Sequence, residues 1–114
     1  MKTNELTGAA LDWAVAKCEG EVLGEDLFGL RPIIAAPAFT QQFKPSTDWS
    51  QGGPIIEREK IRLNYGVGEE GFYCEAYITA GTCQHGPTPL TAAMRCYVAS
   101  KLGDKVDVPE ELSC

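Results

Sequence analysis

The chain lacks most of the features that announce a chemistry. It has one histidine, His85, and its five cysteines include no Cys-x-x-Cys pair. No three basic residues adjoin, and the longest apolar stretch, residues 33–39, contains Pro37 and is far too short to span a bilayer. Each absence removes a class of function. An odd, scattered set of cysteines argues against a disulfide framework and for reduced thiols in a cytosol. Without a basic face, phosphate contacts cannot displace condensed counterions, so autonomous binding of DNA or RNA is not expected. No basic start leads into an apolar segment, so no secretion signal is expected either, and the residence predicted is cytoplasmic, with no membrane partner.

What is present reads as one globular domain over residues 1–114. Hydrophobic residues make up 44% and charged residues 23%, which is ordinary for a domain that buries a core without metal or disulfides. Net charge is −6. Acidic residues gather at Glu19, Glu21, Glu25 and Asp26, and again at Asp104, Asp107, Glu110 and Glu111. A solvated face explains them better than mimicry of DNA, for which this charge density is low.

Hydrophobic periodicity places the elements. Leu11, Ala14, Val15 and Cys18 recur at helical spacing, with Thr3 or Asn4 as cap and Gly20 as stop. Trp13 lies beside that stripe and closes its edge. Residues 21–44, broken by Gly24, Gly29, Pro32 and Pro37, read as an irregular excursion over the core, with Ile33-Ile34 and residues 39–43 as short strand candidates and one edge strand as the most they contribute. Ser46, Thr47 and Asp48 are strong caps, and the Gly52-Gly53-Pro54 run predicts a short helical turn over residues 53–59 with Pro54 in its first position.

Ile61, Leu63 and Tyr65 then alternate with polar residues, predicting a strand with one buried face. An acidic, glycine-rich turn over residues 66–71 returns the chain through Phe72, Cys74, Ala76 and Ile78, whose alternation predicts the second strand of an antiparallel hairpin. Tyr73 and Tyr77 fall on its outer face, where a covering loop or helix is expected. The last helix is the clearest. Thr88 caps it, Pro89 opens it, Leu90, Ala93, Met94, Tyr97, Val98 and Leu102 form its stripe, and Gly103 ends it.

Candidate chemistry is thin. A metal site would have to combine Cys74, Cys83, His85 and Cys96, without the tight ligand pairs that structural zinc prefers, so no metal and no cofactor is expected. Cys18, Cys74 and Cys96 read instead as small core hydrophobes. Cys83 and His85 lie close in sequence, but a thiol–imidazole pair needs a third group to orient the ring, so no catalytic residue is assigned. Gly52-Gly53 resembles a phosphate cradle only in outline. No Lys-Ser/Thr follows it, and Pro54 deletes a backbone donor.

The densest group of unusual residues is the segment 46–58. Thr47, Asp48, Trp49, Gln51, Gly52, Gly53 and Arg58, with His85 from the later turn, combine a carboxylate, an aromatic face and close backbone access, which suits a binding surface. The structural alternative assigns Asp48 to capping, Trp49 to roofing the hairpin and the glycines to positive φ.

Three blocks, LTGAALDWAVAKCEG at 6–20, STDWSQGGPIIERE at 46–59 and GPTPLTAAMRCYVASKLGDKV at 86–106, resemble the NinX family of lambdoid phages and of prophages in enteric bacteria. The resemblance implies a phage or prophage context and a bacterial host cytoplasm, and carries no activity with it. The Ser-Thr-Asp and Thr-Pro-Leu openings also resemble the phage alpha-beta-alpha sandwich domain, which supports layers only. The expectation is an α+β fold, a small antiparallel sheet built on the central hairpin and packed against two main helices in sandwich-like layers. Two functions follow from these residues. One is a non-enzymatic accessory module that binds a host or phage protein through the Trp49 loop or an exposed sheet edge. The other is a small enzyme or small-molecule binder, which requires Asp48, Trp49 and His85 to converge on one polar pocket.

Overall fold

A computed structural model describes residues 2–19, 23–25, 32–35, 40–42, 44–78 and 82–108. In order, its elements are α1 (Gly8–Glu19), β1 (Leu23–Glu25), β2 (Pro32–Ala35), β3 (Thr40–Gln42), α2 (Trp49–Glu59), β4 (Arg62–Gly68), β5 (Gly71–Ile78), β6 (Thr82–Gly86) and α3 (Pro89–Leu102). The fold is α+β. β4, β5 and β6 form one antiparallel sheet in that spatial order, and α3 lies across β5 and β6 with α1 and α2 packed on its other side.

α3 forms where its sequence predicts. Thr88 caps it by accepting from the Thr91 N–H at 3.1 Å, and Pro89 stands in the first turn, where its missing N–H does no harm. Leu90 to Met94 and Cys96 to Val98 are all buried, so the helix is covered almost all round. That is the signature of a helix held between a sheet and other helices rather than lying at the surface. Only Leu102, at its end, departs from the expected stripe and is exposed.

α1 buries Leu11, Ala14 and Val15 as expected, with Trp13 and Cys18 packed partly against the same core. Its start is different. Thr3 and Asn4 do not cap it but lie in a separate 3-10 turn, Thr3–Glu5. Thr3 is buried and donates from Oγ1 to the Gly103 carbonyl at 2.6 Å, tying the chain's start to the end of α3. The expected stop at Gly20 lies outside the described residues.

Two readings of the middle are corrected. Within residues 21–44 the described parts are three short strands that pair in sequence order into a second antiparallel sheet, where one edge strand was expected. Three- and four-residue strands are too short for alternation to register. α2 starts at Trp49, not at Gly53, and Pro54 sits inside it. Gly52 and Gly53 are helical, neither has positive φ, and the role of Gly52 is spatial. A Cβ there would stand 2.5 Å from the Pro45 carbonyl oxygen and 2.6 Å from Leu90 Cδ2, so only glycine lets α2 seat against the start of α3.

The hairpin exists but its burial differs from the alternation rule. The turn is two residues, Glu69 and Glu70, and residues 66–68, expected in the turn, belong to β4. Ile61 is buried just before β4, yet Leu63, Tyr65 and Val67 are exposed. β4 therefore has no buried residue along its length, because α3 covers β5 and β6 far more than β4.

Candidate functional site

The segment before α2 is built as a helix start. Asp48 is the cap, its carboxylate accepting from the Ser50 N–H at 2.9 Å and from the Ser50 hydroxyl at 2.6 Å. These hydrogen bonds from Ser50 hold the Asp48 carboxyl below its usual range. Gln51, three residues on, accepts the Lys44 N–H at 2.7 Å and so closes the loop from behind, much as a capping box does. Thr47 is exposed, and its N–H bonds back to the Lys44 carbonyl at 3.1 Å. Deeper in, the Ser46 N–H donates to buried Asp12 of α1 at 2.9 Å, which pins the segment to the core. Trp49 is 54% exposed.

Arg58 faces elsewhere. Its guanidinium meets Glu19 of α1 through two hydrogen bonds, 3.0 and 2.6 Å, and lies 3.2 Å from the Tyr97 hydroxyl of α3. Tyr97 also donates to Glu19. Burial pushes the Glu19 carboxyl upward, but the hydrogen bonds from Arg58 and Tyr97 outweigh it and leave the group below its ordinary range. Burial, and after it the same carboxylate, push the Tyr97 phenol well up. Arg58 thus joins α1, α2 and α3 in one clamp.

His85 occupies a third place. It lines an open cavity of about 560 Å³ with Asn4, Tyr73, Gln84, Pro87 and Arg95, and neither Asp48 nor Trp49 is in its wall. The three side chains required for a shared polar pocket are therefore not brought together there. Cys83 Sγ is 4.0 Å from His85 Nε2, and the imidazole packs edge-on against Tyr73 with ring centroids 5.0 Å apart. Among the described residues no group hydrogen-bonds the other ring nitrogen, so the arrangement that activates a thiol is incomplete. Nor, among the described residues, do three His, Cys, Asp or Glu side chains converge as a metal would require. Cys74 and Cys96 are buried, and burial raises the Cys96 thiol to about 11.

The outer face of the main sheet carries a polar cluster. Tyr77 donates to Glu75, which is buried although its strand position points away from α3. Hydrogen bonding from Tyr77 holds Glu75 low, and the carboxylate in turn raises Tyr77 to about 12. Tyr73 folds across the strand pair onto Gly66, so closely that a Cβ there would strike its ring. The two tyrosines, expected to need a cover, instead serve as the cover over Glu75.

The inner face is apolar and only partly covered. Register places Leu63 beside Ala76, Tyr65 beside Cys74 and Val67 beside Phe72, all on the face that α3 meets. Ala76 and Cys74 belong to the core. Gly86, paired with Cys74, packs against the first turn of α3 so tightly that a Cβ would come within 2.8 Å of the Ala92 nitrogen. The start of α3 thus lies over the Cys74 row, and the next row toward the hairpin tip runs beyond it. There Val67 is 73% exposed, Phe72 79% and the flanking Tyr65 63%. Alternation in the sequence could not reveal this, because it reports which side chains share a face and not how far a helix extends over them.

The comparisons with known proteins agree with the sequence resemblance. A family model described as Bacteriophage P22, NinX matches residues 2–101, a span that runs from the first turn into the last turn of α3. No curated protein matches the chain. No helix among the described residues is long and apolar enough to cross a membrane. By that match across nearly its whole length, the chain belongs to the phage P22 NinX family.

Proposed function

We propose that the protein is a non-enzymatic accessory module of a phage or prophage, which binds a host or phage protein in the bacterial cytoplasm through the uncovered inner face of the β4–β5 hairpin. The observation that carries this reading is the run of Tyr65, Val67 and Phe72, three large apolar side chains exposed side by side on a face that is core a few residues away. Isolated exposed hydrophobes are ordinary, whereas adjoining ones on a rigid sheet mark an interaction surface. Family membership supplies the phage association. The chemistry of the patch favours protein over nucleic acid, since the chain carries a net charge of −6 and Arg62 is the only charged residue of β4.

The test is capture from infected or lysogenic cells with three tagged forms of the chain. Parent and Trp49→Ala should retain the same protein, and Val67→Ser/Phe72→Ser should lose it while remaining folded. Retention by the hairpin double variant, or loss with Trp49→Ala alone, would move the binding surface to the start of α2 and overturn the assignment. A gel shift with duplex DNA that weakens steeply with salt would overturn the choice of partner class.

A further inference from the structure

We propose that two copies of this chain join through the free edge of β4, pairing antiparallel about Tyr65 to make one continuous six-stranded sheet. Among the described residues, no strand pairs with the side of β4 away from β5, so β4 is an edge of seven residues. It contains no proline, and its one charged residue, Arg62, stands at its beginning, so the usual protections against edge pairing are missing from its middle.

The backbone sets the register. The two-residue turn closes on the Gly68–Gly71 pair, and hydrogen-bonded pairs alternate along an antiparallel ladder from that point. Arg62, Asn64, Gly66 and Gly68 therefore direct their N–H and C=O groups toward β5. Leu63, Tyr65 and Val67 direct theirs outward. A twofold axis at Tyr65 lets Tyr65 exchange both hydrogen bonds with the partner's Tyr65, and sets Leu63 opposite the partner's Val67. This contact is isologous and closes on itself, so it makes a dimer and not a fibre.

The charges agree with that register. Counting outward from Tyr65, Arg62 of one copy meets the partner's Gly68 and so lies at the partner's Glu69–Glu70 turn, while Lys60, the left-handed cap that ends α2, stands two residues before the ladder begins. Each end of the ladder thus brings Arg62, with Lys60 near it in sequence, to the partner's acidic turn, although each chain carries a net charge of −6. All four side chains are exposed, so they select register more than they add affinity. Pairing through the backbone edge also leaves the inner face open and joins the two Tyr65–Val67–Phe72 patches across the axis. The inference does not depend on the proposed protein partner, because the edge and the face are separate surfaces.

Charge exchange tests the pairing on the purified full chain. Light scattering of the parent over a dilution series should approach twice the 12.3 kDa chain mass. Lys60→Glu/Arg62→Glu sets carboxylates against carboxylates, and Glu69→Lys/Glu70→Lys sets cations against cations. Each variant alone should self-associate about tenfold or more weakly than the parent at low ionic strength. An equimolar mixture of the two places opposite charges at both ends again and should restore the dimer as a heterodimer. As a second readout, the Leu63, Tyr65 and Val67 amides of the parent should gain hydrogen-exchange protection with concentration, while the outward edge of each variant alone stays unprotected. A parent that remains monomeric, variants that dimerise undiminished, or a mixture that stays monomeric would each overturn the proposal. Phe72→Ser, which weakens the apolar face from β5 and leaves every residue of the β4 edge in place, should still dimerise, so failure of partner capture and failure of pairing are read separately.

Discussion

Asp48 and Trp49 are neighbours with opposite fates, and the difference is set by backbone geometry. Asp48 is the last extended residue before α2 and turns its carboxylate onto Ser50, whereas Trp49 is the first helical residue and points into solvent. Trp49→Ala is therefore predicted to change stability by no more than about 0.5 kcal/mol in denaturant melts. A loss of roughly 3–5 kcal/mol would mean that the indole is buried. Asp48→Ala should lower the unfolding midpoint at neutral pH. Because the folded Asp48 carboxyl is held below its unfolded value, its contribution is present above the unfolded value and lost as pH falls through the folded one. The gap between parent and Asp48→Ala should then narrow in acid. Capping was legible in the sequence, since a short carboxylate ahead of a helix has a local reason to be there. The exposure of Trp49 was not, because it depends on what the rest of the chain brings near.

At the scale of elements, the three helices are joined by Glu19, Arg58 and Tyr97 more than by any pattern visible along one helix. Arg58 looked like part of a binding segment only because it lies a few residues past the double glycine. In space it bridges α1 to α3. Burial raises the Glu19 carboxyl and the hydrogen bonds from Arg58 and Tyr97 lower it further, so its folded value lies below the unfolded one. Its stabilising effect is complete above the unfolded carboxylate range and disappears as pH falls through the folded value. Arg58→Gln should remove much of that dependence and lower stability near neutral pH by about 0.5–1 kcal/mol, a modest amount because half of the Arg58 side chain is in solvent. Melts of parent and variant from neutral to acid pH check this, and equal slopes would contradict it. α3 was legible because cap, proline and stripe all agree. The start of α2 was misplaced because Gly52-Gly53-Pro54 reads locally as a break, while in space α2 runs through both glycines and the close approach to Pro45 and Leu90 calls for glycine at position 52.

Across the whole molecule, one sheet face does two jobs. Under α3 it is core, with Ala76 and Cys74 buried, and past the first turn of α3 it is surface, with Val67 and Phe72 exposed. The α+β class and the family were legible in the sequence, because both rest on ordered elements and on contiguous blocks of residues. The boundary between core and surface was not, since it is decided by where one helix begins above a hairpin. Nor could the sequence show which side chains surround His85, whose cavity is walled by Asn4, Tyr73 and Arg95 and not by Asp48 or Trp49. The measurement that bears most directly on the account is equilibrium denaturant unfolding of Val67→Ser/Phe72→Ser at high dilution. If these side chains are surface available to a partner, the double variant should keep its native circular dichroism and unfold within about 1 kcal/mol of the parent. A loss of about 3–5 kcal/mol would place them in the core and contradict the account.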